Sequence, residues 1–273
     1  MGNPKGGDKM KLDSRAWIIF TSLVIDLIGF TVILPLMPKL LDHYGLKGGT
    51  SLGSLQNFIQ YLQEKLNIPD NFNTVLIGGA LGSLFSFLQF IASPLAGCLS
   101  DRYGRKPALI VSMIGIACSY LIWAVADSFP IFVLARATGG ISKANVSLAT
   151  AVMADITDAA TRAKSMALIG IAFAAGFIIG PMTGAAFSLW GVDSQQETNW
   201  WLWPAVFALT LATANIAFVI VFFKESLPEG KRAKSLHLSQ AWNLVNPFSL
   251  FNFKLAEGLA KKADLKKMII PST

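Results

Sequence analysis

The sequence contains few charged residues for its length. Asp, Glu, Lys and Arg make up 14% of the 273 residues, whereas 53% are hydrophobic and the mean hydropathy is +0.53. A soluble domain usually contains about a quarter charged residues, so this composition favours a membrane protein. The net charge of +7 does not indicate a nucleic-acid partner, because the basic residues lie between apolar runs and form no single basic domain.

Patterns typical of catalysis and metal binding are also missing. The two cysteines, Cys98 and Cys118, lie in apolar runs and predict no disulfide framework. The two histidines, His43 and His237, are far apart and have no metal-ligand spacing to cysteines or acids. The sequence has no glycine-rich phosphate loop, so it does not predict ATP binding. We therefore expect no enzyme activity, no metal site and no cofactor.

Six apolar runs are long enough to cross a bilayer. A hydrocarbon core about 30 Å thick requires roughly 20 residues of helix at 1.5 Å per residue. Within lipid each segment must satisfy its own backbone hydrogen bonds, so the runs are predicted to be helices. The six runs, called spans 1 to 6, cover about 16–41, 73–99, 107–126, 129–153, 165–190 and 200–223. The predicted fold is all-α, a six-helix transmembrane bundle over 16–223.

The basic residues predict the orientation of this bundle. With both termini in the cytoplasm, the tail 1–15, the segment 224–273 and the two inner loops together hold 18 of the 23 lysines and arginines. Cytoplasmic loops carry such an excess, so both termini are predicted to be cytoplasmic. Two stretches outside the spans, 54–66 and 236–250, have the spacing of short amphipathic helices.

The segment between spans 2 and 3 carries the sharpest motif. It reads GCLSDRYGRK over 97–106 and contains Gly97, Asp101, Arg102, Gly104, Arg105 and Lys106. Gly97 is expected to allow close helix approach, and Gly104 to permit a tight turn with positive φ. A plain positive-inside loop would explain the cations but not the ordered glycines and aspartate. This string resembles the loop signature of the major facilitator superfamily, with Ser100 where that family usually has alanine.

Span 1 contains Asp26 about ten residues into the membrane, followed by Pro35 and Pro38. This pattern resembles the first helix of the tetracycline-resistance proton antiporters. A carboxylate roughly 15 Å deep marks a cavity or pathway unless it has a structural partner on a neighbouring helix. Both interpretations stay open for Asp26.

Span 4 contains two cations, Arg136 and Lys143. With Gly140 and Ser147 they fall at i, i+4, i+7 and i+11, which places them on one face of a continuous helix. Arg136 and Gly140 resemble the superfamily's span-4 arginine motif, in which the arginine is tied to proton or substrate coupling. Lys143 is predicted either to pair with Asp26 or to attract an anionic substrate, and a structural salt bridge is the alternative.

Three weaker patterns complete the site. Asp155 follows span 4, where it is expected to reach the Arg102–Arg105 cations and complete a cytoplasmic gate, or else to be an ordinary solvated acid. Gln89 and Asn145 are candidate cavity residues. Span 5 resembles the packing signature of the antiporter branch, although a generic seam of small residues explains it too; its residues are Gly176, Gly180, Pro181 and Gly184.

Taken together, the motifs resemble the N-terminal half of a tetracycline-transporter-like member of the major facilitator superfamily. The resemblance implies alternating access, a small organic substrate of drug or organic-anion type, and protons as the coupling ion, in the plasma membrane or an internal membrane. The ending 265–273 resembles an approach to a seventh helix that is cut short. The chain is then a truncated product, a half that pairs with a second half or copy, or a non-transporting scaffold or regulator of the full-length transporter.

Overall fold

The computed structural model describes residues 13–47, 61, 65, 73–193 and 200–233, and every regular element in these residues is helical. The predicted amphipathic helix 236–250, most of the predicted helix 54–66 and most of the segments 1–15 and 224–273 lie outside the described residues; Tyr61 and Lys65, the described residues of 54–66, are helical. The α-helices are α1 (Ser14–Thr31), α2 (Met37–Lys47), α3 (Asn73–Tyr103), α4 (Arg105–Ala124), α5 (Phe129–Ser142), α6 (Asn145–Asp155), α7 (Ala159–Asp193) and α8 (Leu202–Phe222).

Five helical stretches in the described part of the chain are long and apolar enough to cross a membrane. They are Ser14–Tyr44, Val75–Tyr103, Arg105–Ala124, Ala160–Leu189 and Leu202–Phe222. These stretches correspond to spans 1, 2, 3, 5 and 6. Large apolar side chains are widely exposed on them, including Val111 at 69% and Val221 at 70%. A water-soluble surface rarely carries so much apolar area, whereas a lipid-facing surface requires it.

Span 4 differs from the prediction because it is not one continuous helix. α5 ends at Ser142 and α6 begins at Asn145, and the backbone between them leaves the helical path at Lys143, where ψ is 61°. The hydroxyl of Ser112, on α4, donates to the Ser142 carbonyl at 2.6 Å and accepts from the Ala144 N–H at 3.3 Å. A break inside a membrane requires such replacement partners for the backbone. The single helical face expected for Arg136 through Ser147 is therefore divided at Lys143.

Span 1 is also interrupted, near its prolines. A 3-10 turn at Leu34–Leu36 separates α1 from α2, and Pro35 lies within that turn. Proline has no backbone N–H and its ring clashes with the preceding turn, so a continuous α-helix is unfavourable there. Val32, Ile33 and Leu36 are nonetheless buried, so the interruption is part of the packed interior.

α1 and α7 pack at short range through the glycines of span 5. A Cβ atom built on Gly176 would collide with Leu27, one on Gly180 with Thr31, and one on Gly184 with the Val32 carbonyl. The Thr31 hydroxyl donates to the Gly176 carbonyl at 2.9 Å across this contact. The glycines thus bring α1 against α7, and this positions Asp26, which lies on α1.

Candidate functional site

A buried ion pair joins span 1 to the break in span 4. The Nζ atom of Lys143 lies 2.5 Å from Oδ2 of Asp26, and the two residues are only 3% and 8% exposed. Of the two partners that the sequence allowed for Lys143, a carboxylate and an anionic ligand, the structure has the carboxylate. The ammonium also lies 4.6 Å from the centroid of the Phe30 ring, whose negative face attracts a cation.

Arg136 is buried separately, among aromatic rings. It is 5% exposed, and its guanidinium carbon lies 5.7 Å from the Trp123 ring centroid and 5.6 Å from that of Phe132. Its Nε has no hydrogen-bond partner within the described residues, and no carboxylate among them lies within ion-pair distance. The side chains of Arg136 and Lys143 therefore occupy different surroundings, although both belong to span 4.

The two candidate cavity residues, Asn145 and Gln89, lie on different helices, α6 and α3. Asn145 begins α6 directly after the break and is 3% exposed, and its Oδ1 has no partner within the described residues. Gln89 is partly exposed on α3. Gly140 allows α5 to approach α3, because a Cβ there would lie 2.8 Å from the Phe85 carbonyl oxygen.

The turn between α3 and α4 consists of Gly104 alone, with φ at 107°. Arg105, which follows it, is 8% exposed and bonds to both acids of the predicted gate. Its Nε donates to Asp155 at 2.8 Å, and its NH1 lies 2.7 Å from Asp101. The same NH1 donates to the Ser100 hydroxyl at 2.5 Å. Ser100, which is fully buried, therefore supplies an acceptor that the family's usual alanine lacks.

The other residues of the turn motif make different contacts from those of Arg105. Lys106 donates through Nζ to the Ile220 carbonyl at 2.8 Å. Arg102 is exposed and stacks over the ring of Tyr103, with 5.4 Å from the guanidinium carbon to the centroid. The close helix approach predicted at Gly97 is wrong for the described residues, since a Cβ there would meet no atom within 4 Å. Gly97 instead accepts a hydrogen bond, through its carbonyl, from the Ser100 hydroxyl.

Glu225, just after α8, is a member of this cluster that the sequence analysis missed. Its carboxylate accepts from the backbone N–H of Arg105 at 3.0 Å and of Lys106 at 3.1 Å. It thereby caps the first turn of α4, where free N–H groups and the helix dipole favour an anion. A Cβ on Gly104 would collide with this carboxylate. The sequence contains one signal for this role: Glu225 is an acid that follows Lys224 directly after span 6, in a segment that is basic overall.

This combination defines a class of protein: a multi-pass helical membrane protein with a buried ion pair at a helix break and an ionic cluster at one end. Comparison with known protein families supports this class. The Major Facilitator Superfamily model matches residues 19–263, so the chain belongs to that superfamily. Its members are membrane transporters and not enzymes.

Particular members of the superfamily match closely. Major facilitator superfamily domain-containing protein 10 from Bos taurus is 41% identical over 240 residues, and the one from Homo sapiens is 40% identical; each alignment covers 86% of this chain and 50% of the relative. The class H tetracycline resistance protein of Pasteurella multocida is 30% identical over 209 residues, covering 77% of this chain and 44% of that protein. The chain thus spans about half the length of these relatives.

A solved structure also matches. The crystal structure of the human organic anion transporter MFSD10 (TETRAN) superposes with a TM-score of 0.78 at 38% sequence identity, covering 87% of this chain and 54% of that one. The resemblance predicted from the turn motif and from the pattern in span 1 is therefore confirmed at the level of the superfamily and of its tetracycline-transporter-like relatives.

Proposed function

We propose that this chain forms one six-helix half of a transporter that exchanges small organic anions for protons by alternating access. In this proposal α5 and α6 together make one crossing, which gives six spans over 16–223. Both termini lie in the cytoplasm, since that orientation puts 18 of the 23 lysines and arginines inside. The segment 224–273 is then the start of the central cytoplasmic loop.

The observation that carries the proposal is the Asp26–Lys143 pair at the break in span 4. Transporters commonly place substrate and ion sites near the bilayer midplane, where discontinuous helices expose backbone groups and helix ends. Ionisable residues at such depth are expensive, and they mark ion or substrate pathways by default. A purely structural pair would not require an interrupted backbone next to it.

The balance of charge supports an anionic substrate. Arg136 and Lys143 are two buried cations, and Asp26 is the acid that faces Lys143. Arg136 has aromatic neighbours instead of a carboxylate within the described residues, so its charge is available to an anion that enters between those rings. The human relative whose structure superposes on this chain is an organic anion transporter, which is the same class of substrate.

Proton coupling follows from what protonation of Asp26 would do. A neutral Asp26 no longer holds Lys143, so the ammonium is released to a substrate carboxylate, and deprotonation restores the pair. At the cytoplasmic end, Arg105 with Asp101 and Asp155 forms a second ionic contact at the α3–α4 turn. We propose that this cluster is the gate, formed in one conformation of the transporter and opened in the other.

The test is uptake of a radiolabelled aromatic carboxylate into proteoliposomes containing the purified chain, driven by a pH gradient. Asp26→Asn is expected to abolish the gradient-driven component. Asp158→Asn is the matched control, because Asp158 is an exposed acid at the start of α7, and it should leave uptake unchanged. Full, pH-responsive uptake by Asp26→Asn would refute Asp26 as the coupling group.

A second candidate function is a scaffold or regulator that associates with a complete transporter without transporting. The mass of the purified complex, measured on the sample used for uptake, separates the two. Uptake by a dimer supports a pair of halves, and a silent monomer that binds a complete relative supports the regulator.

A further inference from the structure

A cavity borders the break in span 4, and neither Asp26 nor Lys143 is among the residues that line it. It has a volume of about 520 Å³ and lies between α3, α4 and the break in span 4. Its walls are almost entirely apolar and include Leu95, Leu99, Val111 and Ile141. Leu99, Val111 and Ile141 are 41%, 69% and 57% exposed, so the cavity is a groove on the side of the bundle and not a sealed chamber. We call it the α3–α4 groove.

One end of this groove carries a cation. Tyr103 lines the groove and is 53% exposed, and the guanidinium of Arg102 stacks over its ring. The other two cations of the turn are engaged: Arg105 bonds to Asp101 and Asp155, and Lys106 to the Ile220 carbonyl. Arg102 makes no ion pair with any described residue. Its planar fork of N–H donors is therefore open to a phosphate.

The far end of the groove is a poor binding site for a polar group. The hydroxyl of Ser112, which lines this end, is already used by the Ser142 carbonyl and the Ala144 N–H at the break. A fitting occupant therefore has a long apolar part along the groove and one anionic group at the Arg102 end. A phospholipid acyl chain with its phosphate has this arrangement.

We propose that the α3–α4 groove binds one acyl chain of an anionic phospholipid of the cytoplasmic leaflet, with its phosphate on Arg102. The choice of leaflet rests on the orientation proposed above, which puts the α3–α4 turn in the cytoplasm. That leaflet contains the anionic lipids that basic residues at the membrane surface attract. The bound chain would contact both the gate turn, through Tyr103, and the residues that flank Lys143.

The proposal is tested by native mass spectrometry of the purified chain after exchange with phosphatidylglycerol or phosphatidylcholine of the same chain length. The wild type is expected to retain phosphatidylglycerol at least fivefold better than phosphatidylcholine. Arg102→Gln should remove this preference, and Val111→Trp, which fills the groove, should reduce retention of both lipids. Two controls keep the comparison matched: Arg162→Gln removes another exposed cation, and Leu121→Trp enlarges another exposed position on α4.

Several results would overturn the proposal. Equal retention of the two lipids by the wild type would mean that no headgroup charge is recognised. An equal loss in Arg162→Gln would mean general attraction to a basic surface. Unchanged retention in Val111→Trp would show that the lipid binds outside the groove. A dimer that dissociates only in Val111→Trp would show that the groove is an interface between copies. Asp26→Asn, which tests transport, should leave lipid retention unchanged, so the two proposals fail separately.

Discussion

Lys143 and Asp26 form a buried ion pair at the point where span 4 is not helical, and each is the other's charged partner. The ammonium lies beside a two-residue gap between α5 and α6, and the carboxylate lies on α1, which α7 holds in place by close glycine contacts. The pair thus links span 1 and span 4 at the position where the backbone is least regular.

Removing one member of the pair should cost more stability than removing both. Lys143→Met leaves a buried carboxylate without a counterion and is expected to destabilise the fold by about 3–5 kcal/mol. Asp26→Leu combined with Lys143→Met replaces the pair with apolar groups and should recover most of that loss. Thermal unfolding in detergent measures both variants. A double variant as unstable as Lys143→Met would show that the unpaired carboxylate of Asp26 is not the cause of the loss.

The contact between α1 and α7 should be sensitive to single methyl groups. Gly180→Ala places a Cβ against the Thr31 hydroxyl, and overpacking of this kind is expected to destabilise by about 1–3 kcal/mol. Gly170→Ala is the control in the same helix, because a Cβ there meets no atom within 4 Å among the described residues. It should be neutral or stabilise by up to ~1 kcal/mol. Equal melting temperatures for the two variants would contradict the role of close packing at Gly180.

Glu225 should slow hydrogen exchange at the amides of the first turn of α4. Glu225→Ala removes the acceptor for the Arg105 and Lys106 N–H groups, and loss of such a cap costs about 1 kcal/mol. Hydrogen exchange at these two amides is expected to accelerate roughly fivefold, which corresponds to that energy. Glu229→Ala serves as the control, because the Glu229 side chain is 91% exposed. Unchanged exchange in Glu225→Ala would mean that water replaces the cap without loss.

Gly104 should tolerate no side chain. Its φ of 107° is unfavourable for any other residue, at about 1–3 kcal/mol, and a Cβ would also collide with the Glu225 carboxylate. Gly104→Ala is therefore expected to lower the thermal stability and to weaken the Arg105–Asp155 contact. Gly230→Ala, on the same side of the molecule, meets no atom within 4 Å among the described residues and should have no effect. Melting curves of the two variants decide the question.

Arg136 should determine the preference for anions. Arg136→Gln removes a buried cation that has aromatic neighbours, and it is expected to reduce uptake of the aromatic carboxylate at least tenfold. Uptake of the corresponding neutral amide, measured in the same proteoliposomes, should fall by less than twofold. Arg162→Gln, in an exposed position, should affect neither probe. An equal loss of both probes would indicate that Arg136 supports the fold and does not recognise charge.

Much of the architecture was predictable, because a bilayer imposes rules that act along the chain. Apolar length predicted five of the stretches that the structure contains, and the motif at 97–106 predicted both the superfamily and the positive φ at Gly104. The two ends of span 4 were also close to prediction, since α5 begins at Phe129 and α6 ends at Asp155. Its interruption was not, because the Ser112 hydroxyl that satisfies the broken backbone lies on another helix, and span 4 alone does not encode that contact.

The sequence by itself determined the class of this protein, since composition, run length and the turn motif are local properties that need no knowledge of contacts. The partners were decided only by the tertiary structure. Asp26 and Lys143 are 117 residues apart, and Glu225 and Arg105 are 120 apart. Their pairing depends on how closely glycines let α1 approach α7 and on where the chain after α8 crosses the α3–α4 turn. Such distances follow from the packing of all the helices together, and no single segment encodes them.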